Sequence, residues 1–596
     1  MKFTKHKILF ISLILLSLQL YSQKQSDSIV FQALNDEIIR GMNEFDYKDY
    51  AKPCYIGYVL IDENTLSINS EIGALMSYDN NKNIGWSYRL IIGTYEINDE
   101  NFRGIEQHQN NGIGNMANFF PLEADYYGIR RGFWLNSDNV FRRAGNIHKQ
   151  KQSLITKNII SKDDLNLPDY TKEEAVTRII ERAETKINKS NLKEKICKLS
   201  EAVYEFDNIS YSSSNLTYKK NDIYFVNNEG TTFKIPLDLS LLNVNLSKKI
   251  KNNKYIHNSF FICRTSPKKF PTNEALQPEI EKLANNLIEL SDAENIKEDY
   301  SGPVLFLGQV AAEIMLQSLF CEKNSLIAER NDLVAANSGD VYFENIENEW
   351  QSRIEKKILP QGISVVARPK LKEYHGINLI GNFEIDSEGV IPPDSIVLVK
   401  DGFLKAMLSS RTPTSVSSCS NGHYRFYFGY NGVSHTKSPG IIIMESNIGK
   451  PTEILTDNLL EIAKEEGNKY AYIIQSIPSK IVNMPYNIYR IDVESREKEI
   501  INRAGFDMLL GASDLKKIQF SDSIIVFNTL FRPQNAGFYM GFQNNYNRQS
   551  TGVPVSFICP NGILVKEFEI FENKDIENIH TDKDYISNPL ENALKN

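Results

Sequence analysis

The sequence predicts an α+β protein, in which a mixed N-terminal domain with an antiparallel sheet and long helices is followed by a β-rich C-terminal domain. Three observations predict it. At 596 residues the chain exceeds what one hydrophobic core usually holds, so two or three domains are expected. Its first half mixes strand-like runs with helical periodicity, whereas beyond Leu359 strand-like runs follow one another with a single clear helical interruption. Composition, 41% hydrophobic and 24% charged, is that of a soluble globular protein, without the long biased tracts of a disordered one.

Taken in order, the first folded element is a helix over "SDSIVFQALNDEIIRGMNEF", where Ile29, Phe31, Leu34, Ile38 and Ile39 recur near helical spacing and Ser26 or Asp27 caps the start; it is read as exposed. The runs "CYIGYVLID", "TLSINSEIGALMSYD" and "WSYRLIIGTYEI", with "DNNKN" as a turn, predict a three-run antiparallel meander. The stretch "DYYGIRRGFWLNSDNVFRRAGNIHKQKQSLITKN" is long, basic and amphipathic and predicts a helix with a break. Pro168 in "NLPDYTKEEA" is read as opening a further helix, "LKEKICKLSEAVYEF" as another, "NNEG" as a tight turn between strands, and Pro278–Asn295 as a helix. After Leu359, ten strand-like segments from "GISVVARP" to "ILVKEFEIFE" are interrupted by the helix "TEILTDNLLEIAKEEG".

The N-terminus predicts export. Lys2, Lys5 and Lys7 precede the apolar run "ILFISLILLSLQLY", and Ser22 closes it, the pattern of a cleaved secretory leader. That run is shorter than the roughly 20 residues of a membrane span, and no later segment approaches that length, so no stable span is expected after cleavage. The expected location is extracytoplasmic, periplasmic or secreted. Loss of the three leader lysines takes the formal charge from −8 to −11, an acidic balance that argues against a nucleic-acid partner. The six cysteines lie far apart with no CxxC pair and are read as thiols rather than a cystine framework.

Chemistry centres on "SGPVLFLGQVAAEIMLQSL", a strand, a glycine and a helix. Gln309, Glu313 and Gln317 repeat at i, i+4 and i+8 as a polar stripe opposite Val310, Ile314 and Met315. The stripe is read either as the solvated side of a core helix or as the lining of a cleft. In the loop "SSRTPTSVSSCSNGHYR", Cys419, Asn421, His423 and Arg425 are candidates for the same cleft, with Arg425 offering a contact to a substrate carboxylate. Asp386 and Glu388 in "IDSEGV" read as a polar turn between strands, and Trp86, Trp134 and Trp350 as packing residues.

Several stretches in this order resemble the TldD/PmbA family, in particular its exported relatives: "PCYIGYVLIDE", "ADYYGIRRGFWLNSDNVFRRA", "FVNNEGT", "GPVLFLGQVAAEIMLQSL", "GNFEIDSEGVIPPDSIVLVKDGFLKAML", "SRTPTSVSSCSNGHYRF" and "SFICPNGILVKEFEI". They span about Asp27 to Leu590. With the leader placed at 1–22, the resemblance implies an α+β domain over 23–298 and a β-rich domain over 299–596, assembled as a dimer around an internal cleft. In that family a TldD-like subunit is a zinc peptidase acting on unfolded polypeptide, and a PmbA-like subunit lacks the metal and completes the chamber. The TldD-like helix carries HExxxH, with a cysteine near the C-terminus. Here Leu307 and Gly308 fall at the first His and the Glu, Ala312 at the second His, and Tyr546 at the cysteine. Leu307, Gly308 and Ala312 have no lone pair to offer zinc, and no histidine lies between His257 and His375.

The sequence therefore predicts a non-catalytic, PmbA-like subunit with no cofactor of its own, pairing with itself or with a metal-bearing relative and receiving unfolded peptide. Two other readings stay open at this point. One is a divergent metallopeptidase with ligands moved to the 419–435 loop or to carboxylates; the other is a peptide-binding scaffold without a protease partner.

Overall fold

The computed structural model describes residues 25–572, apart from 48, 105–119, 158, 161–164, 183–186, 251–254, 322–323, 336–340, 344–347, 430–431, 503 and 533–550. The expected leader, 1–22, and Tyr546 lie outside the described residues.

The N-terminal half is built on five antiparallel strands: β1 (Pro53–Glu71), β2 (Ala74–Ile92), β3 (Tyr211–Asn227), β4 (Thr232–Lys249) and β5 (Tyr255–Arg264), ordered β2-β1-β3-β4-β5. The expected meander of three runs is instead one hairpin of two 19-residue strands. Its turn falls at Ile72 and Gly73, both at positive φ, whereas Asp79 to Asn83 continue β2 and pair with Ser67 to Glu63. Polar residues are tolerated there because that part of β2 is exposed on its outer edge. The "NNEG" turn joins β3 to β4 as read.

Alternation along these strands gives the sheet two faces. Tyr58, Leu60, Tyr224 and Val226 point to one, which is covered by α1 (25–44) and α2 (Tyr126–Thr156). Further along, Leu66, Ile68, Leu216, Leu242 and Val244 pack under α3 (Lys189–Leu199) and α4 (Asn273–Asp292). The opposite face, with Val59, Ile61, Ile223, Phe225 and Phe233, meets Ile385 and Phe426 from the C-terminal half.

α1 is docked rather than exposed. Val30, Ala33, Leu34 and Ile38 are buried, and Asp27 accepts from Lys234 Nζ at 2.7 and 2.9 Å and from the Tyr224 hydroxyl at 2.7 Å. α2 is a single unbroken helix of 31 residues. Asp125 caps it by accepting from Gly128 N at 2.6 Å, and Gly132 and Gly145 let the rings of Phe120 and Tyr50 lie where a Cβ would collide, at 2.5 and 2.6 Å. Pro168 opens no helix; the following segment runs extended, with Tyr170 N and Thr171 N donating to Tyr95 O and Arg411 O. Tertiary hydrogen bonds took the backbone groups a helix would have used. Pro278 lies inside α4, whose start is Asn273 with Thr272 as its cap.

In the C-terminal half, two sheets enclose one helix. β6 (Tyr300–Leu307) lies inside the first, antiparallel to Gly562–Glu572 and parallel to Tyr470–Ser476. The second sheet runs from Phe403–Leu404 through Ile396–Lys400, Ile363–Ala367, Ile441–Ser446 and Val553–Pro560 to Ile524–Phe531. α5 (Gln309–Phe320) packs between them, its Ile314, Met315 and Leu319 in one core with Ile474, Phe527 and Phe557. α6 (Thr452–Glu465) covers the outer face of the first sheet through Leu455 and Leu459.

Candidate functional site

The strand, glycine and helix of the sequence motif form as read. Gly308, at φ 80°, turns the chain from β6 into α5, and its N–H donates to Asn561 O at 2.7 Å. Val310 N donates to Ser476 Oγ at 2.8 Å, which occupies one of the orphan donors of the first turn. Ala312 is buried, as are Val310, Ala311, Ile314 and Leu316. Along α5 only the stripe of Gln309, Glu313 and Gln317 is partly open.

That stripe is engaged with protein. Gln309 clamps the backbone of a neighbouring loop, donating through Nε2 to Val482 O and accepting Met484 N at Oε1, both at 2.8 Å. Gln317 Oε1 accepts from the Cys321 thiol at 2.9 Å. At the positions of the expected metal motif, Leu307, Gly308 and Ala312 supply hydrocarbon or hydrogen, so the donor set does not fit zinc. Among the described residues no three His, Cys, Asp or Glu side chains gather as a cation would require.

The 419–435 loop divides its candidates. Cys419 is exposed. Asn421 ties the loop inward: its Oδ1 accepts Ser409 N at 2.9 Å and its Nδ2 donates to Met407 O at 2.7 Å. His423 is fully buried, Nδ1 at 3.0 Å from Asn421 O and the ring edge-on to Phe383 at 5.5 Å; burial lowers its pKa to about 3 and keeps it neutral. Arg425 is not held out toward a substrate carboxylate. Its Nη1 donates to Pro439 O at 2.6 Å and Pro554 O at 2.9 Å, beneath the Phe383 ring, and burial lowers its pKa to about 9. Both residues are buried within the chain: Arg425 is met by two carbonyls and the Phe383 ring, whereas His423 Nε2 is buried without a hydrogen-bond partner.

The densest chemistry lies elsewhere, between the halves. Arg89 on β2 forms ion pairs with Glu100, at 2.6 Å, and with Glu388, and stacks on Tyr170 at 4.3 Å. Arg411 pairs with Glu229 at 2.6 Å, donates to Thr171 O, and lies over Tyr170 at 4.3 Å and Tyr55 at 5.0 Å. Glu388 Oε2 accepts Arg411 N at 2.7 Å, which joins the two pairs into one network. Beside it Asp386 accepts Glu388 N and Val390 N, each at 2.9 Å; burial and then the Glu388 charge raise its pKa well above the usual carboxylate range. A cavity of about 20 Å3 among Arg89, Tyr170, Glu388, Tyr424 and His435 has room for about one water. The "IDSEGV" segment is thus a turn, as read, but a buried one that welds the halves together. Arg89 and Glu388 are 299 positions apart, and no local spacing announces the pair.

Asp169 anchors an adjacent cluster. It accepts Lys151 Nζ at 2.5 Å and Asn98 N at 2.8 Å, with Arg330 at 3.3 Å. Nearby Asp99, which accepts Ile92 N at 2.6 Å, has its pKa raised by burial to about 8.

No protein-family model and no curated protein matches the chain. Solved structures to which it is similar include a putative modulator of DNA gyrase from Thermotoga maritima, at 11% identity over 87% of this chain and 96% of that one, TM-score 0.47. A second putative modulator of DNA gyrase, from Bacteroides thetaiotaomicron, is 8% identical over 92% and 98%, TM-score 0.48. TldE from Thermococcus kodakarensis is 11% identical over 90% and 99%, TM-score 0.46.

Proposed function

We propose that this chain is an exported TldD/PmbA-family protein acting as a non-catalytic, PmbA-like subunit, which builds part of the wall of a chamber receiving unfolded polypeptide. The observation that carries the reading is the motif element itself. β6, Gly308 and α5 keep their place at the heart of the C-terminal half, yet the three motif positions within it hold Leu, Gly and Ala. A scaffold can keep its shape after its chemistry is gone. Pairing with itself or with a metal-bearing TldD-like relative would supply the second wall, and no cofactor of its own is required.

The test is elemental analysis of purified mature protein together with cleavage of an unstructured fluorogenic peptide. We expect substoichiometric zinc at background level and no chelator-sensitive cleavage by the chain alone. Stoichiometric zinc with cleavage lost to a chelator would overturn the reading.

A further inference from the structure

The sheet face that meets the C-terminal half changes character along its length. Val59, Ile61, Ile223, Phe225 and Phe233 bury against Ile385 and Phe426, and further on Leu239, Leu241 and Cys263 bury against Ile380 and Phe428. Beyond Leu241 the same face turns polar and uncharged. One row crosses all five strands: Ser77 on β2, Asn69 on β1, Asn215 on β3, Asn243 on β4 and Phe261 on β5, each opposite the next. The following row holds Ser213, Asn245 and Ser259, and the one after it sets His257 beside Ser247. Asn243 and Asn245 lie deepest, at 8% and 2% exposure, while Asn69, Asn215, Ser259 and Phe261 are half-buried and His257 is exposed.

Their hydrogen bonds do not close. Asn243 Nδ2 donates to Asn245 Oδ1 at 2.8 Å, Asn245 Nδ2 to Ser213 Oγ at 3.2 Å, and Asn69 Nδ2 to Ser77 Oγ at 2.7 Å. Asn243 Oδ1 is buried with no partner, and the neighbouring Asn215 amide makes no side-chain hydrogen bond among the described residues. A buried amide oxygen left unmet is costly, so a donor is wanted at this point of the face. Few charges are at hand to supply it: in the Asn215 row and the rows on either side of it, the charged side chains are Asp79 and Glu71, both at the β1–β2 edge.

We propose that this face binds a neutral carbohydrate chain. A sugar hydroxyl both donates and accepts, as the Asn amides and Ser hydroxyls of the rows do. Strands about 4.8 Å apart repeat the amides at nearly the length of one pyranose ring. Phe261 and His257 supply rings against which the apolar C–H faces of sugars can stack. Anionic ligands find no cation in these rows to pair with. Extended polypeptide is disfavoured as well, because it adds to a sheet through the backbone of an edge strand, whereas the unmet groups here are side chains of the face. Trp134 on α2, 52% exposed and so not packed as the sequence suggested, has Arg130, Arg131 and Asp138 for helical neighbours and lacks such amides. A carbohydrate site neither requires nor excludes the chamber proposed above.

Affinity electrophoresis of purified mature protein tests it, in native gels holding hydroxyethyl cellulose, mixed-linkage β-glucan, galactomannan or soluble starch. Retardation by at least one of the four is expected, unchanged by added sodium chloride because no ion pair is involved. Asn215→Ala, whose side chain has no partner to lose, should keep the melting temperature and weaken retardation by about fivefold. Asn215→Asp keeps the size but brings an unpaired charge, and should weaken it at least as much. Migration unaffected by all four polymers, retardation abolished by salt, retardation indifferent to both Asn215 variants, or displacement of the polymer by an uncharged unstructured peptide would overturn the proposal.

Discussion

α5 and the network between the halves make an instructive pair. Both are buried, yet α5 is enclosed by hydrocarbon from two sheets, whereas Arg89, Arg411, Glu229 and Glu388 bring full charges together where the halves meet. Ala312 on α5 is a packing position. The chain's strongest electrostatics serve a joint. Buried charge is costly unless each member is paired, so the joint depends on every partner being present, while the α5 region depends on volume.

The sharpest way to break the joint is Arg411→Ala. Glu229 and Thr171 O would lose their buried donor, and a loss of about 3–5 kcal/mol is expected in urea unfolding followed by circular dichroism. A change below about 1 kcal/mol would mean that the network is not what holds the halves. On the other side of the comparison, Ala312→Leu overfills a fully buried site and should cost about 1–3 kcal/mol by the same measurement. If it were neutral, α5 would be facing open space.

A pH series sharpens the electrostatic half. Asp99 stays protonated in the folded chain up to about pH 8, whereas the unfolded carboxyl ionises near 4. The folded state therefore holds the extra proton in that window, and stability falls as pH rises, by at most about 1.4 kcal/mol per pH unit for this group. Above about pH 6.5 His423 and His435 do not contribute, because burial lowers them to about 3 and about 4 and they are neutral in both states. Asp99→Asn should flatten the decline between about pH 6.5 and 8, checked by melting temperature against pH; an unchanged slope would remove Asp99 from the account. Below about pH 6.5 the two histidines act in the opposite sense, since the unfolded chain takes up protons that the folded one refuses, and stability is lost as pH falls toward their folded values. The smallest effect is expected at Cys419→Ser, within about 0.5 kcal/mol, because that side chain is exposed. A larger loss would show that the thiol has a partner on this loop.

Much of the fold could be read from local pattern. Nine of the ten strand-like segments read after Leu359, the hairpin at "NNEG", the helix after Gly308 and the helix at Thr452–Glu465 follow periodicity and turn chemistry, whereas "NLIGNFEID" forms no strand beyond Asn378. The misreadings share one cause. Asp79 to Asn83 look like a turn but extend an exposed edge strand, the segment after Pro168 looks helical but is drawn out by Tyr95 and Arg411, and α1 looks free but is pinned by Lys234. In each case a partner distant in sequence overrode a local preference.

By itself the sequence determined which atoms stand at the motif. Leu307, Gly308 and Ala312 have no donor side chains in any fold, since donor chemistry belongs to residue identity and not to placement. Only the tertiary structure decided that Arg89 would find Glu388, that Arg411 would find Glu229, and that Arg425 would be sealed under Phe383. Burial and ion pairing are properties of contacts between segments far apart along the chain, and no local spacing encodes them.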